Sequence, residues 1–300
     1  MSETSTISRP EGVTVTYRRM KFDFEDQSFE RYWYDGSAFK SLFWAQVSAG
    51  FEYGETFFIE AARSLRHKVT DPKLLSEISD FAKQEGQHTA QHIKFNRINE
   101  SMGLKLEPCG RRYERIVIRA RKLSPMKMLA AACAMEHLTA GFADLFFRHP
   151  EITKGADPKV MALWTWHAAE EAEHRATCFD IFKQLKGGYF TRVFTALSAW
   201  MLVTVATLTN TAVLLRNDRK LFTLDTLRGL RYLFGFRGLL TNLLPAFLSY
   251  LNPRFHPWKG RDGKDIERWI AQSSRYIQNA PAPAVPSVVA QPVVAQPVAS

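Results

Sequence analysis

Apolar residues recur every three or four positions through four long stretches of this chain, the period that places them on one side of an α-helix. The stretches cover residues 37–67, 72–102, 125–147 and 158–186. Three starts are marked locally, because Asp71-Pro72, Ser124-Pro125 and Asp157-Pro158 each set a capping side chain before a proline at the first helical position. Proline also keeps its predecessor out of the α region, as a cap requires. Gly103 and Gly187-Gly188 supply stops. In the first stretch, Phe51, Glu55, Phe58 and Ala62 share a face. No segment alternates with period two between turn dipeptides, so the pattern predicts an all-α protein.

The pattern changes after Gly188. Residues 193–215 form 23 consecutive positions without a charge, bracketed by Arg192 and Arg216. At about 1.5 Å per residue this run is long enough to cross a hydrocarbon core of roughly 30 Å. Its threonines, with Ser198 and Asn210, make it more polar than most spans, and a buried or dimer-forming helix fits as well. Residues 221–251 mix Arg228, Arg231 and Arg237 with Leu and Phe, which suits an interfacial helix on an anionic membrane or the basic outer face of a packed helix. From Ala280 onward Pro, Ala, Val and Gln dominate without charge, predicting a disordered tail. The expected organisation is an N-terminal extension over 1–36, a helical bundle over 37–188, a hydrophobic and basic helical region over 189–278, and the tail over 279–300.

Composition refines this picture in three ways. A 300-residue chain that is 46% hydrophobic has ample core-forming side chains. The net charge of +10 is uneven: residues 191–278 carry 13 basic against 5 acidic side chains, or +8, leaving +2 for the rest. With no nucleic-acid-binding motif beside it, that excess gives no reason to expect a nucleic-acid partner. Cys109, Cys133 and Cys178 form an odd set without metal-type spacing, which argues against a disulfide framework. Together with a polar start lacking an apolar signal segment, this predicts a cytoplasmic location, with contact to the inner membrane open.

The chemistry is carried by two Glu-x-x-His pairs, Glu85 with His88 and Glu171 with His174, in the second and fourth stretches. Residues three apart on a helix share a face, so each pair can address one ion. The first and third stretches each place a glutamate among apolar neighbours, Glu55 and Glu136, where an uncompensated carboxylate is costly to bury. One glutamate from each of two helices and a Glu-x-x-His from each of two others is the donor set of a dimetal site in a four-helix bundle. His167 lies four residues before Glu171 and extends the same stripe. The expected metal ligands are Glu55, Glu85, His88, Glu136, His167, Glu171 and His174, with the four glutamates also catalytic and His92 supporting from behind. Carboxylates and imidazoles without sulfur favour two iron ions, with manganese or zinc as alternatives. His137 is expected to pack or lie at the surface, and Glu170 and Glu173 to face solvent or pair with basic residues such as Arg175.

Gly-Glu-x-Phe-Phe at 54–58, Gln-Glu-x-x-His-x-x-x-His at 84–92, Glu-His-x-Thr-Ala at 136–140 and Trp-His-x-x-Glu-Glu-x-Glu-His at 166–174 resemble a bacterial family of predicted metal-dependent hydrolases in the ferritin-like superfamily. That resemblance covers about 21–186 strongly, and Phe-His-Pro-Trp at 255–258 extends it weakly. It implies a ferritin-like four-helix bundle with a dimetal core site and additional C-terminal helices. The spacing of His167, Glu171 and His174 is also similar to the di-iron site of arylamine N-oxygenases. The leading expectation is therefore a non-haem di-iron oxygenase that uses O2, an external electron donor and a small organic substrate. A metal-dependent hydrolase and a non-catalytic iron-binding bundle are the alternatives, and a homodimer is an open expectation.

Overall fold

A computed structural model describes residues 9–20, 22 and 29–273. Ten α-helices follow one another among these residues, and no β-strand occurs; a single isolated bridge joins Tyr34 and Ala156. The expected tail over 279–300 lies outside the described residues.

The first four long helices are α1 (Ala38–Ser64), α2 (Pro72–Ser101), α4 (Pro125–Arg148) and α5 (Pro158–His174). Asp71 and Asp157 cap as expected, each side chain accepting from two backbone N–H groups of the first turn. Ser37 caps α1 in the same way through Lys40. Ser124 does not, because only its carbonyl, and not its hydroxyl, accepts from the turn that follows. α1 packs on α2 and α4, and α5 packs on α4 and α2, so four helices enclose one interior. Trp44 of α1 fills one end of it, with its ring 4.8 Å from that of Trp164 on α5.

Three elements differ from the expected pattern. Helix α3 (Glu107–Ala120) occupies a stretch with no predicted helix. Its buried residues, Cys109, Gly110, Tyr113 and Val117, make a narrow stripe, and four arginines lie among the other positions. The expected helix over 158–186 is interrupted after His174, and α6 (Thr177–Gln184) follows. At the break, the Arg175 side chain donates to the Ala172 carbonyl and to Asp144 on α4, and its guanidinium stacks on Trp258. Residues 221–251 form two helices, α8 (Leu224–Phe234) and α9 (Leu239–Tyr250). A Cβ at Gly238 would stand 2.6 Å from the Leu233 carbonyl oxygen, so the turn between them closes only around glycine.

The uncharged run lies within α7 (Tyr189–Asn217), which is long and apolar enough to cross a membrane. It lies against α4, α1 and α3, with Trp200 Nε1 donating to the Ala134 carbonyl at 2.8 Å and Tyr113 bonded to Thr207. α10 (Lys264–Ser273) closes on α5. Hydrophobic side chains of α1, α2, α5, α7, α8 and α9 belong to one buried cluster that also takes in Trp33 and Tyr34. The segment from Val13 to Met20 is an extended strap across α2 and α5, held by Gln84, whose amide donates to the Thr16 carbonyl, and by Arg18.

Candidate metal centre

Helix geometry brings the seven expected ligands into the interior from four directions. Glu55 points in from the middle of α1, Glu85 and His88 from α2, Glu136 from α4, and His167, Glu171 and His174 from one stripe of α5; all are buried. Six of them fall into two groups whose donor atoms lie within 4.8 Å of one another. Glu85, His88, Glu171 and His174 form the first group, Glu55, His88 and His167 the second, and His88 belongs to both. Glu136 is in neither: its Oε2 accepts from His174 Nδ1 at 2.9 Å, while its Oε1 is buried without a partner. No cysteine takes part, and all three are buried and free.

Six of the atoms at the centre have no hydrogen-bond partner. Glu55 Oε1, both carboxylate oxygens of Glu85, His88 Nδ1, Glu136 Oε1 and His174 Nε2 are all buried and unsatisfied. Leaving one such atom bare costs about 1–3 kcal/mol, so this concentration fits metal ions and would be expensive without them. Burial and the neighbouring carboxylates push the Glu85 carboxyl well above its ordinary range, and burial does the same to Glu55. Burial and the adjacent imidazoles hold His88 well below the usual histidine value. Burial also opposes charge on His174, but Glu136 and Glu171 outweigh it and raise the ring to about 9. Burial works against the Glu171 anion too, yet the His174 charge and the Thr139 hydroxyl keep it below its usual range. Positive charge is thus already drawn to the place where the carboxylates converge.

A second layer of side chains fixes which ring nitrogens face inward. Asn96 donates its amide to the Ser48 carbonyl, so its oxygen accepts from the Ser48 hydroxyl at 2.7 Å. Ser48 Oγ must then accept from His92 Nδ1 at 2.8 Å, which leaves His92 Nε2 as acceptor for His167 Nδ1, also at 2.8 Å. His167 therefore presents Nε2 as a lone pair to Glu171 at 2.9 Å and Glu55 at 3.7 Å. Three acceptors converging in a dry interior call for a cation. His92 thus bonds a proposed ligand rather than the centre itself.

Glu170 and Glu173 are buried rather than facing solvent, and they pair with a basic residue as the other expectation had it, though with Arg18 and not Arg175. Glu170 lies 3.1 Å from His88 Nε2, and a metal ion at Nδ1 would put the ring's proton on the Glu170 side. Burial and Glu173 raise the Glu170 carboxyl to about 8, against the pull of Arg18. Arg18 reaches in from the strap, 2.6 Å from Glu173 and 3.7 Å from Glu170. Glu170, Ser48, Asn96 and Arg18 carry no signal in the sequence, since each is defined by a partner on another element. His137 is packed, with its ring bonded to the Ala246 carbonyl. Glu60 pairs with Arg121 away from the centre.

Beside the centre lies an apolar chamber of about 160 Å³ between α1, α3, α4, α7 and α9. Phe51, Thr139 and Phe142 line both this chamber and a small void of about 20 Å³ that touches His167 and Glu171. Thr139 donates to Glu171, so the partition between chamber and centre includes a hydroxyl bonded to a proposed ligand. Comparison with curated proteins and with solved structures gave no match. The family described as predicted metal-dependent hydrolase matches residues 16–260, a span that contains Arg18 of the strap, all seven converging residues and the chamber. By that match the chain belongs to the predicted metal-dependent hydrolase family.

Proposed function

We propose that the protein is a dimetal oxidase or oxygenase that acts with O2 on an apolar organic substrate. The carrying observation is a buried carboxylate and imidazole cluster with unpaired inward atoms beside an apolar chamber, Phe51, Thr139 and Phe142 lining both that chamber and the small void at His167 and Glu171. A chamber of this size matches a benzene-sized or short alkyl group, since a dry apolar cavity of roughly 150 Å³ takes benzene. Its walls offer almost no donors to orient a polar scissile bond, while O2 and hydrocarbon both partition into such a space. The ferritin-like arrangement of donors over four helices and the added nitrogen of His167 support the same reading.

Residues Glu55, Glu85, His88, Glu136, His167, Glu171 and His174 would hold two metal ions, most simply iron, given hard oxygen and imidazole donors without sulfur. The ions would supply the redox equivalents for O2 chemistry, and an external donor would return the electrons. The chain itself contributes three things. Four glutamates compensate charge. The Asn96, Ser48 and His92 chain holds His167 with its lone pair inward. Phe51 and Phe142 keep bulk water from the reacting face.

Hydrolysis is the second reading, favoured by the description of the family. A two-metal site can lower the pKa of bound water and clamp a substrate's oxygens. The two readings separate in one experiment: purified protein is loaded anaerobically with Fe(II), exposed to O2, and its oxygen uptake measured beside that of Glu85→Ala and His174→Ala. Two ions per chain and rapid uptake, both lost in the variants, are expected. Turnover by the zinc form without O2 would instead establish hydrolysis.

A further inference from the structure

Helix α7 has two unlike faces. Its inner face is bonded to the bundle through Trp200, Thr207 and Asn210. Its outer face carries Phe190, Phe194, Leu197, Met201 and Val205, spaced by three or four residues and all exposed, Phe190 by 70%. Such spacing makes one continuous apolar stripe. α9 packs on the same helix, α4, and exposes Leu244 and Leu248. At the other end of α7, Phe222 and Phe236 are 96% and 92% exposed. Scattered exposed apolar residues are ordinary, but a contiguous patch over neighbouring helices marks an interaction surface.

The charges around this patch are sorted. Between residues 189 and 250 the only acidic side chains are Asp218 and Asp225, and both turn inward. Asp218 accepts from Arg31 at 2.7 Å and from Tyr32, and Asp225 accepts from the Ser37 hydroxyl and the Phe39 amide. Arg216, Arg219, Lys220, Arg228, Arg231 and Arg237 have no carboxylate within ion-pair distance among the described residues. The acids of the region are used to fasten it to the bundle, and the cations are left outside.

We propose that the outer face of α7, α8 and α9 docks on an anionic lipid bilayer, with α7 lying in the plane of the interface. Apolar residues enter the acyl boundary while the unpaired cations meet phosphate headgroups. Two copies of the chain meeting through this face would oppose like charges, and a nucleic acid would leave the phenylalanines in water. Spanning is excluded while the inner face keeps its bonds to α3 and α4. The exposed Thr204, with Ala199 and Val203, also lines the apolar chamber, so the chamber borders the proposed docking surface.

The test uses the full chain and needs no metal, so its result stands apart from the chemistry assigned to the centre. Protein is sedimented with vesicles of phosphatidylcholine alone and of phosphatidylcholine mixed with phosphatidylglycerol, at low and high salt. Binding to the mixed vesicles, weakened by salt and much weaker on the neutral ones, is expected. The double variant Phe194→Asp with Met201→Asp should no longer bind. Arg228→Gln with Arg231→Gln should lose roughly fivefold in partitioning for each cation removed. All four positions are exposed, and an unchanged helical circular dichroism spectrum checks that the variants fold. The proposal falls if wild type stays in the supernatant with mixed vesicles, or if the aspartate variant binds as well as wild type. It falls equally if wild type is a dimer that the aspartate variant splits and neither form binds lipid.

Discussion

At the centre, a few side chains carry opposed requirements, and single substitutions should separate them. Glu85 presents two buried oxygens with no partner, so Glu85→Gln removes a crowded acid without changing its shape. The metal-free variant is expected to be more stable than the metal-free parent by about 1–3 kcal/mol, a Tm gain of several degrees by thermal unfolding, while metal content falls below that of wild type. Wild type should show the converse, with Tm rising as Fe(II) or Mn(II) is added and returning on chelation. His92→Phe and Ser48→Ala break the chain that orients His167 and are expected to lower metal affinity by about 10- to 100-fold, with the helical content unchanged. The two Glu-x-x-His pairs were legible in the sequence because their spacing is itself the geometry. Ser48, Asn96 and Glu170 were not, because what defines them is a partner on another helix.

Among the helices, the sequence predicted best those with a side-chain cap followed by a long apolar stripe. Asp71 and Asp157 mark α2 and α5 to the residue. Helix α3 was missed for a different reason: its apolar residues are sharply one-sided, but it is polar overall, with four arginines in fourteen residues, and no side chain caps its start. The break after His174 depends on Arg175 meeting Asp144 and Trp258, contacts from other parts of the chain that no local pattern contains. The seam between α8 and α1 shows how closely the outer helices are fitted. A Cβ on Gly229 would stand 2.0 Å from the Phe39 ring, so Gly229→Ala is expected to destabilise by about 1–3 kcal/mol in urea unfolding, although alanine favours a helix.

For the whole molecule, charge and apolar surface were visible as composition but not as arrangement. The +8 of residues 191–278 was countable, whereas the inward commitment of Asp218 and Asp225, which leaves the cations outside, was not. The chamber likewise depends on five helices. Val203→Trp, which fills it from α7, is expected to lower turnover of an apolar substrate at least tenfold with metal content unchanged; parallel loss of metal would show that chamber and centre are not separate. Arg18→Ala should cost about 3–5 kcal/mol of stability, measured by urea unfolding, because it strands Glu173 in the interior. That strap contact also sets an order of events during synthesis. Arg18 and Glu173 are 155 residues apart, so at about 5–20 residues per second the ribosome delivers the second roughly 10 to 30 s after the first. Until then the inward carboxylates of α1 and α2 have no α5 to face, and a captured ion would have only half its ligands. A complete set of ligands therefore exists only after α5 has arrived, the helix that Arg18 then ties to the strap.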